Sequence, residues 1–290
     1  MNSPYFRNVY FKTDDGLTLY ARDYPGPASE ASVILCLHGL SRNSRDFEDL
    51  APLLQKNYRV IVPDQRGRGR SESDTQVEHY TPQTYILDTL RLLDDLEVKS
   101  FSIVGTSMGG LMALGIGALA PERLTQVVLN DIGPVIAQRG LDRIKQSVGS
   151  KMVFSSWSAA ADHLASVNET AFPHYTTEDW LRFAARACSQ TSDGVALDYD
   201  PNITVPLSSA TSDVRPDDLW PLFEALTDVP VLLIRGALSD LLEPACVEEM
   251  QRRNKRMQLL EVPGVGHAPM LNEAGVSDAL ISFLSFPAIG

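Results

Sequence analysis

The residues from 104 to 110 read Val-Gly-Thr-Ser-Met-Gly-Gly, and this stretch decides how the chain is interpreted. The apolar run Phe101 to Val104 predicts a buried strand, and the run from Gly109 to Leu119 predicts a helix. A serine between two glycines at such a junction fits the nucleophile elbow Gly-x-Ser-x-Gly, in which Ser107 stands exposed on a strained turn. The flanking glycines leave room where Cβ atoms would clash. The stretch therefore predicts a nucleophilic serine between a strand and a helix.

Strands and helices alternate on both sides of this junction. Near-continuous apolar runs predict strands buried on both faces, and apolar residues at helical spacing predict the helices between them. The predicted strands cover residues 33–37, 58–62, 101–104, 126–129, 229–235 and 257–262, and the predicted helices 46–55, 81–96, 109–119, 217–226, 244–254 and 274–286. A β-hairpin around Asp14-Asp15-Gly16 precedes them. This order is typical of an α/β fold with a mostly parallel sheet.

The alternation stops after Asp131 and resumes near residue 217. Amphipathic helical patterns at residues 141–148, 158–167 and 178–188 fill the interval without a convincing strand. We therefore predict a core domain formed by residues 1–133 and 214–290. Residues 134–213 are predicted to form an all-helical cap.

A nucleophilic serine needs a base, and His267 is the candidate. It lies in a glycine-rich loop after the last predicted strand, and loops at the carboxyl ends of parallel strands meet above the sheet. An acid has to hold the imidazole in the right tautomer. Asp240 is predicted as that acid, because it follows the strand 229–235 and gives the chain order Ser, Asp, His. Asp131, in a neighbouring loop, is the competing candidate.

Two backbone N–H groups are predicted to bind an oxyanion. One belongs to Met108, directly after the serine, and the other to Leu40 in the loop after the strand 33–37. His38 in the same loop is predicted to be structural, forming hydrogen bonds within the loop. Nucleophile, base, acid and oxyanion hole together predict acyl transfer.

Side chains of the predicted cap are candidates for contact with a substrate. Aromatic residues there favour an apolar acyl pocket, and an arginine is suited to a substrate carboxylate. The candidates are Trp157, Trp180, Phe183 and Arg186.

The composition excludes several classes of function. Acidic residues exceed basic ones by 37 to 25, so a nucleic-acid-binding face is not expected. The three cysteines are too far apart for a disulfide scaffold or a zinc ribbon. No apolar run approaches the about 20 residues that a membrane helix needs, and no targeting segment is visible. We expect a cytoplasmic protein with a small-molecule substrate and no membrane or nucleic-acid partner; a homodimer is left open.

Taken together, these motifs resemble the α/β-hydrolase superfamily over nearly the whole chain. The resemblance rests on His38-Gly39, the segment 64–71 (Asp-Gln-Arg-Gly-Arg-Gly-Arg-Ser), the elbow around Ser107, residues 236–240 and Gly266-His267. It implies an eight-stranded, mostly parallel sheet flanked by helices, a helical cap after the sixth strand, no cofactor and no metal. It also implies that Asp64 and Arg66 brace active-site loops.

Serine rather than aspartate at position 107 disfavours halide removal and epoxide opening, which the resemblance would otherwise allow. The leading hypothesis is a carboxylesterase-like serine hydrolase that cleaves a carboxylic ester, lactone or thioester of a small to medium substrate through an acyl-enzyme. Two alternatives stay open. One is hydrolysis of a carbon–carbon bond in a vinylogous diketone acid of the meta-cleavage-product type, and the other is a non-catalytic ligand-binding protein on the same fold.

Overall fold

The structure, a computed structural model, describes residues 5–206 and 219–285. Its strands are β1 (Arg7–Lys12), β2 (Thr18–Tyr24), β3 (Val33–Leu37), β4 (Arg59–Asp64), β5 (Phe101–Thr106), β6 (Leu124–Asn130), β7 (Val153–Phe154), β8 (Cys188–Thr191), β9 (Gly194–Leu197), β10 (Val231–Gly236) and β11 (Gln258–Val262). Its α-helices are α1 (Leu50–Leu54), α2 (Pro82–Asp95), α3 (Met108–Leu119), α4 (Gln138–Ser147), α5 (Trp157–Asn168), α6 (Thr177–Ala187), α7 (Trp220–Glu224), α8 (Pro244–Arg253) and α9 (Val276–Ser285).

Eight of these strands form one twisted sheet in the order β1-β2-β4-β3-β5-β6-β10-β11. β2 pairs antiparallel with β1 and β4, and every other neighbouring pair in the sheet is parallel. The predicted eight-stranded, mostly parallel sheet is therefore confirmed. β5, which leads to Ser107, lies near the middle of the sheet with β6 as its direct neighbour.

Apolar side chains cover both faces of the sheet. Leu35 and Leu37 of β3 belong to one buried cluster and Ile34 and Cys36 to another, as expected because successive strand residues point to opposite faces. The nearly all-apolar helix α3 packs on β5 from one side. This burial explains why the central strands read as continuous apolar runs rather than as an alternating pattern.

The insertion after β6 contains strands, so the expectation of an all-helical cap is wrong in that respect. Helices α4, α5 and α6 are present, but β7, β9 and β8 form a small antiparallel sheet beside them. These strands are two to four residues long, and the turn between β8 and β9 uses Gly194 at a φ of +136°. Runs this short leave no period to read in a sequence.

Two predicted boundaries cannot be compared with the structure. The end of the cap at residue 213 and the start of the helix 217–226 lie outside the described residues, and α7 begins at Trp220. Among the helices that are described, none is both long enough and apolar enough to cross a membrane.

Candidate active site

Ser107 lies on the turn that joins β5 to α3 and faces a cavity. Its φ of +52° is uncommon for a residue with a side chain, so the surrounding structure has to hold it there. A Cβ on Gly105 would come within 2.8 Å of the Gly110 nitrogen, and one on Gly109 within 2.6 Å of the Leu37 carbonyl carbon. Both glycines are therefore needed for the strand and the helix to meet so closely.

A hydrogen-bonded chain of three side chains starts at this serine. His267 Nε2 is 2.9 Å from Ser107 Oγ, and His267 Nδ1 is 2.8 Å from Asp131 Oδ2. The aspartate is fully buried and the imidazole is only 8% exposed. With a proton on Nδ1, the imidazole donates to the carboxylate and accepts from the serine hydroxyl, which is the arrangement that a general base requires.

The buried carboxylate of Asp131 has further donors. The Gly236 N–H donates to Oδ1 at 2.9 Å, and the Ser239 hydroxyl donates to Oδ2 at 2.6 Å. Buried charge is tolerated when hydrogen bonds of this kind compensate for the lost water. The two donors come from the end of β10 and the loop behind it, so that loop orients the carboxylate that His267 contacts.

Asp240, the acid expected from the sequence, forms no hydrogen bond with His267, and this expectation is corrected. Its carboxylate accepts two hydrogen bonds from Arg143 of the cap helix α4, from Nε at 2.6 Å and from Nη2 at 2.8 Å. Burial would raise the pKa of Asp240, but the hydrogen bonds and charge of Arg143 outweigh burial and hold this pKa below its usual value. Asp131 takes the place beside the imidazole because it directly follows β6, the strand next to the one that carries Ser107.

Leu40 and Met108, the two predicted oxyanion donors, lie on either side of a buried arginine. Arg68 is 1% exposed; its Nε donates to the Leu40 carbonyl at 2.9 Å, and its Nη2 is 3.9 Å from Met108 Sδ. The guanidinium also lies over the ring of Tyr85, with 4.7 Å to the centroid. Met108 is the first residue of α3, so its N–H has no acceptor inside the helix. Arg68 is not among the residues predicted from the sequence, where its only signal is its place in the segment 64–71.

The cavity in front of Ser107 has a volume of about 140 Å³ and is mostly apolar. His267 and Ser107 form its floor, and Arg42 and Arg143 are the cationic side chains of its wall. Its main apolar lining residues are Leu40, Phe47, Ile144, Val148, Phe172 and Phe183. A cavity of this kind suits a small acyl group with one or two polar ends.

Only one of the four expected substrate contacts lines this cavity. Phe183 does so, and Trp180 packs behind it with a ring-centroid distance of 5.6 Å. Trp157 lies at the exposed start of α5, and Arg186 is paired with Asp49 at 2.7 Å. These three expectations are corrected, because the rotation of each cap helix decides which of its faces meets the core.

His38 and the segment 64–71 form hydrogen bonds that hold the loops around the site together. His38 Nε2 accepts from the Gln65 N–H at 3.1 Å, its Nδ1 donates to the Gly39 carbonyl at 2.7 Å, and burial lowers its pKa to about 4. Asp64 accepts from the backbone N–H groups of Ser44 and Arg70. Such contacts fit the structural roles that the sequence analysis gave to this histidine and this segment.

One cluster has ligand types that a metal ion can use. A donor atom from each of Asp15, Asp74 and His79 lies within 4.8 Å of the others. Arg66, however, donates to both carboxylates and to Asp88 as well. Its guanidinium supplies the positive charge that these acids need, so the cluster is a salt-bridge network.

A serine on a tight strand-to-helix turn, met by a histidine and an aspartate from other strand ends of a parallel sheet, defines a class of hydrolase fold. The chain belongs to the alpha/beta hydrolase family, whose model matches residues 34–279. This confirms the family resemblance noted in the sequence.

Individual relatives agree with that assignment. The chain is 37% identical over 251 residues to the 3-hydroxybutyrate-oligomer hydrolase of Cupriavidus necator, covering 84% of this chain and 85% of that protein. It is 28% identical over 255 residues to the 2-(acetamidomethylene)succinate hydrolase of Mesorhizobium japonicum, covering 88% and 87%. The crystal structure of an alpha/beta hydrolase from Novosphingobium aromaticivorans superimposes with a TM-score of 0.91 at 37% identity, covering 98% and 99% of the two chains.

Proposed function

We propose that this hydrolase is a serine esterase that works through an acyl-enzyme. The observation that carries the proposal is the hydrogen-bonded chain from Ser107 through His267 to Asp131 at the floor of the cavity. His267 Nε2 takes the hydroxyl proton as Ser107 Oγ attacks the ester carbonyl, and Asp131 stabilises the imidazolium. The imidazolium then protonates the leaving alcohol. A water molecule, deprotonated by the same histidine, attacks the acyl-enzyme and releases the acid.

The developing oxyanion is proposed to bind the N–H groups of Leu40 and Met108. The N–H of Met108 opens α3, whose N-terminal end favours negative charge. Arg68 is proposed as a positioning residue, since it anchors the carbonyl of Leu40 and contacts the Met108 side chain. Its buried positive charge adds to the same effect without touching the substrate.

For the substrate we propose short linear esters of hydroxy acids. The support is the relative from Cupriavidus necator, which is named for hydrolysis of 3-hydroxybutyrate oligomers, together with a mostly apolar cavity that has two arginines in its wall. The name of the second relative, a hydrolase of a substituted succinate, also refers to a substrate that carries carboxylate. Lactones, thioesters and the carbon–carbon substrate are assayed beside these esters.

A panel of purified substrates tests the proposal. We expect the protein to hydrolyse the linear dimer of 3-hydroxybutyrate and 4-nitrophenyl butyrate, and Ser107→Ala to lose both activities. Ser166→Ala, which removes a hydroxyl from the surface of α5, is the matched control and should keep them. Cleavage of a vinylogous diketone acid without ester cleavage would favour the carbon–carbon reaction. If a fluorophosphonate fails to label Ser107 at neutral pH, a ligand-binding role on the same fold is the better interpretation.

The cytoplasmic location stays a prediction. It is supported by the thiols of Cys36, Cys188 and Cys246, which are all free and buried, as is usual in a reducing compartment. The small-molecule substrate also stays a prediction, and a homodimer is left open.

A further inference from the structure

A second, polar cavity lies beside His267. Its volume is also about 140 Å³, and Arg139, Arg143, Asp240 and Leu238 line it together with the imidazole. We call it the basic pocket. His267 and Arg143 line both cavities, so the basic pocket borders the site where the ester would react.

Close packing of α4 on the core fixes the two arginines in this pocket. The Ala137 N–H donates to the Leu241 carbonyl at 2.9 Å, and a Cβ on Gly140 would come within 2.7 Å of the Asp240 carbonyl oxygen. Arg139 and Arg143 are four residues apart on α4 and therefore project from the same face of the helix.

The basic pocket has an excess of positive charge. Asp240 binds Arg143 through Nε and Nη2, and no described residue accepts from Nη1. Arg139 is exposed and has neither an ion pair nor a hydrogen bond to any residue in the described ranges. Two cations thus face one carboxylate in a protein whose formal charge is −12. A local excess of positive charge is suited to an anion.

We propose that the basic pocket binds a carboxylate on the leaving-group side of the substrate, with Arg139 and Arg143 as its specificity-determining residues. The inference rests on the proposed esterase function. In that reaction the leaving oxygen takes its proton from His267, so the leaving group has to lie next to the imidazole, which also lines this pocket. An arginine can present two N–H donors to one carboxylate. The substrate class is therefore an ester whose alcohol portion ends in a free carboxylate, such as an oligomer of a hydroxy acid.

Two substrates with the same scissile ester test this inference. One is the linear dimer of 3-hydroxybutyrate with its free carboxylate, and the other is the same dimer with that carboxylate capped as a methyl ester. The measured quantity is the ratio of KM for the free dimer to KM for the capped dimer. We expect Arg139→Gln to raise this ratio about threefold and Arg139→Glu to raise it about tenfold or more, because Arg139 is exposed and its attraction is partly screened.

Arg182→Glu is the matched control, because Arg182 is an exposed arginine of α6 that is paired with Glu178 and does not line the basic pocket. It should leave the ratio as in the unmodified protein. If both dimers are hydrolysed and Arg139→Glu leaves the ratio unchanged, or shifts it no more than Arg182→Glu does, the carboxylate site is refuted while the esterase function stands. If neither the free dimer nor the capped dimer is hydrolysed, the proposed substrate has failed, and if 4-nitrophenyl butyrate is not hydrolysed either, the proposed esterase function has failed.

Discussion

Replacing Asp131 by asparagine should abolish most of the activity, and the geometry explains how. The Gly236 N–H donates to Oδ1 and cannot rotate, so the asparagine has to keep its carbonyl oxygen on that side. Its NH₂ group then takes the position of Oδ2, facing His267 Nδ1 at about the present 2.8 Å. A donor there forces the imidazole into the tautomer that carries its proton on Nε2. Ser107 would then meet an N–H instead of an acceptor, and the base would be lost.

We expect Asp131→Asn to lower kcat about 10⁴-fold, as the corresponding change does in other serine hydrolases with this arrangement. This loss corresponds to about 5 kcal/mol of transition-state stabilisation. Initial rates with 4-nitrophenyl butyrate at neutral pH measure it. Asp240→Asn is the matched change, since both residues are aspartates at the ends of neighbouring strands. Because Asp240 is bound to Arg143, we expect its loss to lower kcat less than about tenfold.

Circular dichroism and thermal unfolding of both variants show whether either has lost its fold. The reasoning is refuted if folded Asp131→Asn retains more than a tenth of the activity, or if Asp240→Asn is the more damaging of the two. Equal losses of activity would mean that the two carboxylates act together. That result would also contradict the account, because the two side chains have different partners.

Three further changes test the surroundings of the site. Ser239→Ala removes one donor to the buried carboxylate of Asp131, so we expect kcat to fall about tenfold with KM little changed, measured by steady-state kinetics. Arg68→Met keeps most of the side-chain volume but loses the hydrogen bond to the Leu40 carbonyl. We expect kcat and the affinity for a boronic acid that mimics the oxyanion to fall in parallel. The control Arg70→Met, at an exposed arginine, should change neither. His38 is buried with a pKa of about 4 against 6.5 when unfolded, so the unfolded state binds the extra proton as the pH falls between these values and stability decreases. Between pH 6.5 and pH 5 the free energy of unfolding should drop by about 1.5 kcal/mol more in the unmodified protein than in His38→Gln, by urea denaturation; equal drops would contradict the buried neutral imidazole.

The candidate nucleophile and the candidate base can be found in the sequence because each has a local signature. Ser107 stands between glycines at a strand-to-helix junction, and His267 stands in a glycine-rich loop after the last strand of the sheet. The central strands are equally readable, since burial on both faces gives them continuous apolar runs. The choice between Asp131 and Asp240 has no such signature.

Both aspartates follow parallel strands and both give the chain order Ser, Asp, His. Tertiary contacts distinguish the two. Gly236 and Ser239 donate hydrogen bonds to Asp131, and Arg143 of the cap binds Asp240. The small sheet of the cap could not be predicted either, because strands of two to four residues are too short to show an alternating pattern of apolar and polar residues. The substrate contacts depend on how the cap helices rotate against the core, and amphipathic patterns do not fix that angle.

Detection of the acyl group itself is the most direct measurement. The protein is mixed with 4-nitrophenyl butyrate, quenched with acid within the first turnover, digested, and searched by mass spectrometry for a butyrylated peptide. If a serine esterase mechanism operates, the butyryl group is on Ser107, accumulates with the burst of nitrophenol, and is missing from Ser107→Ala. Full turnover with no acyl group on Ser107, or with the group on another residue, would contradict that mechanism.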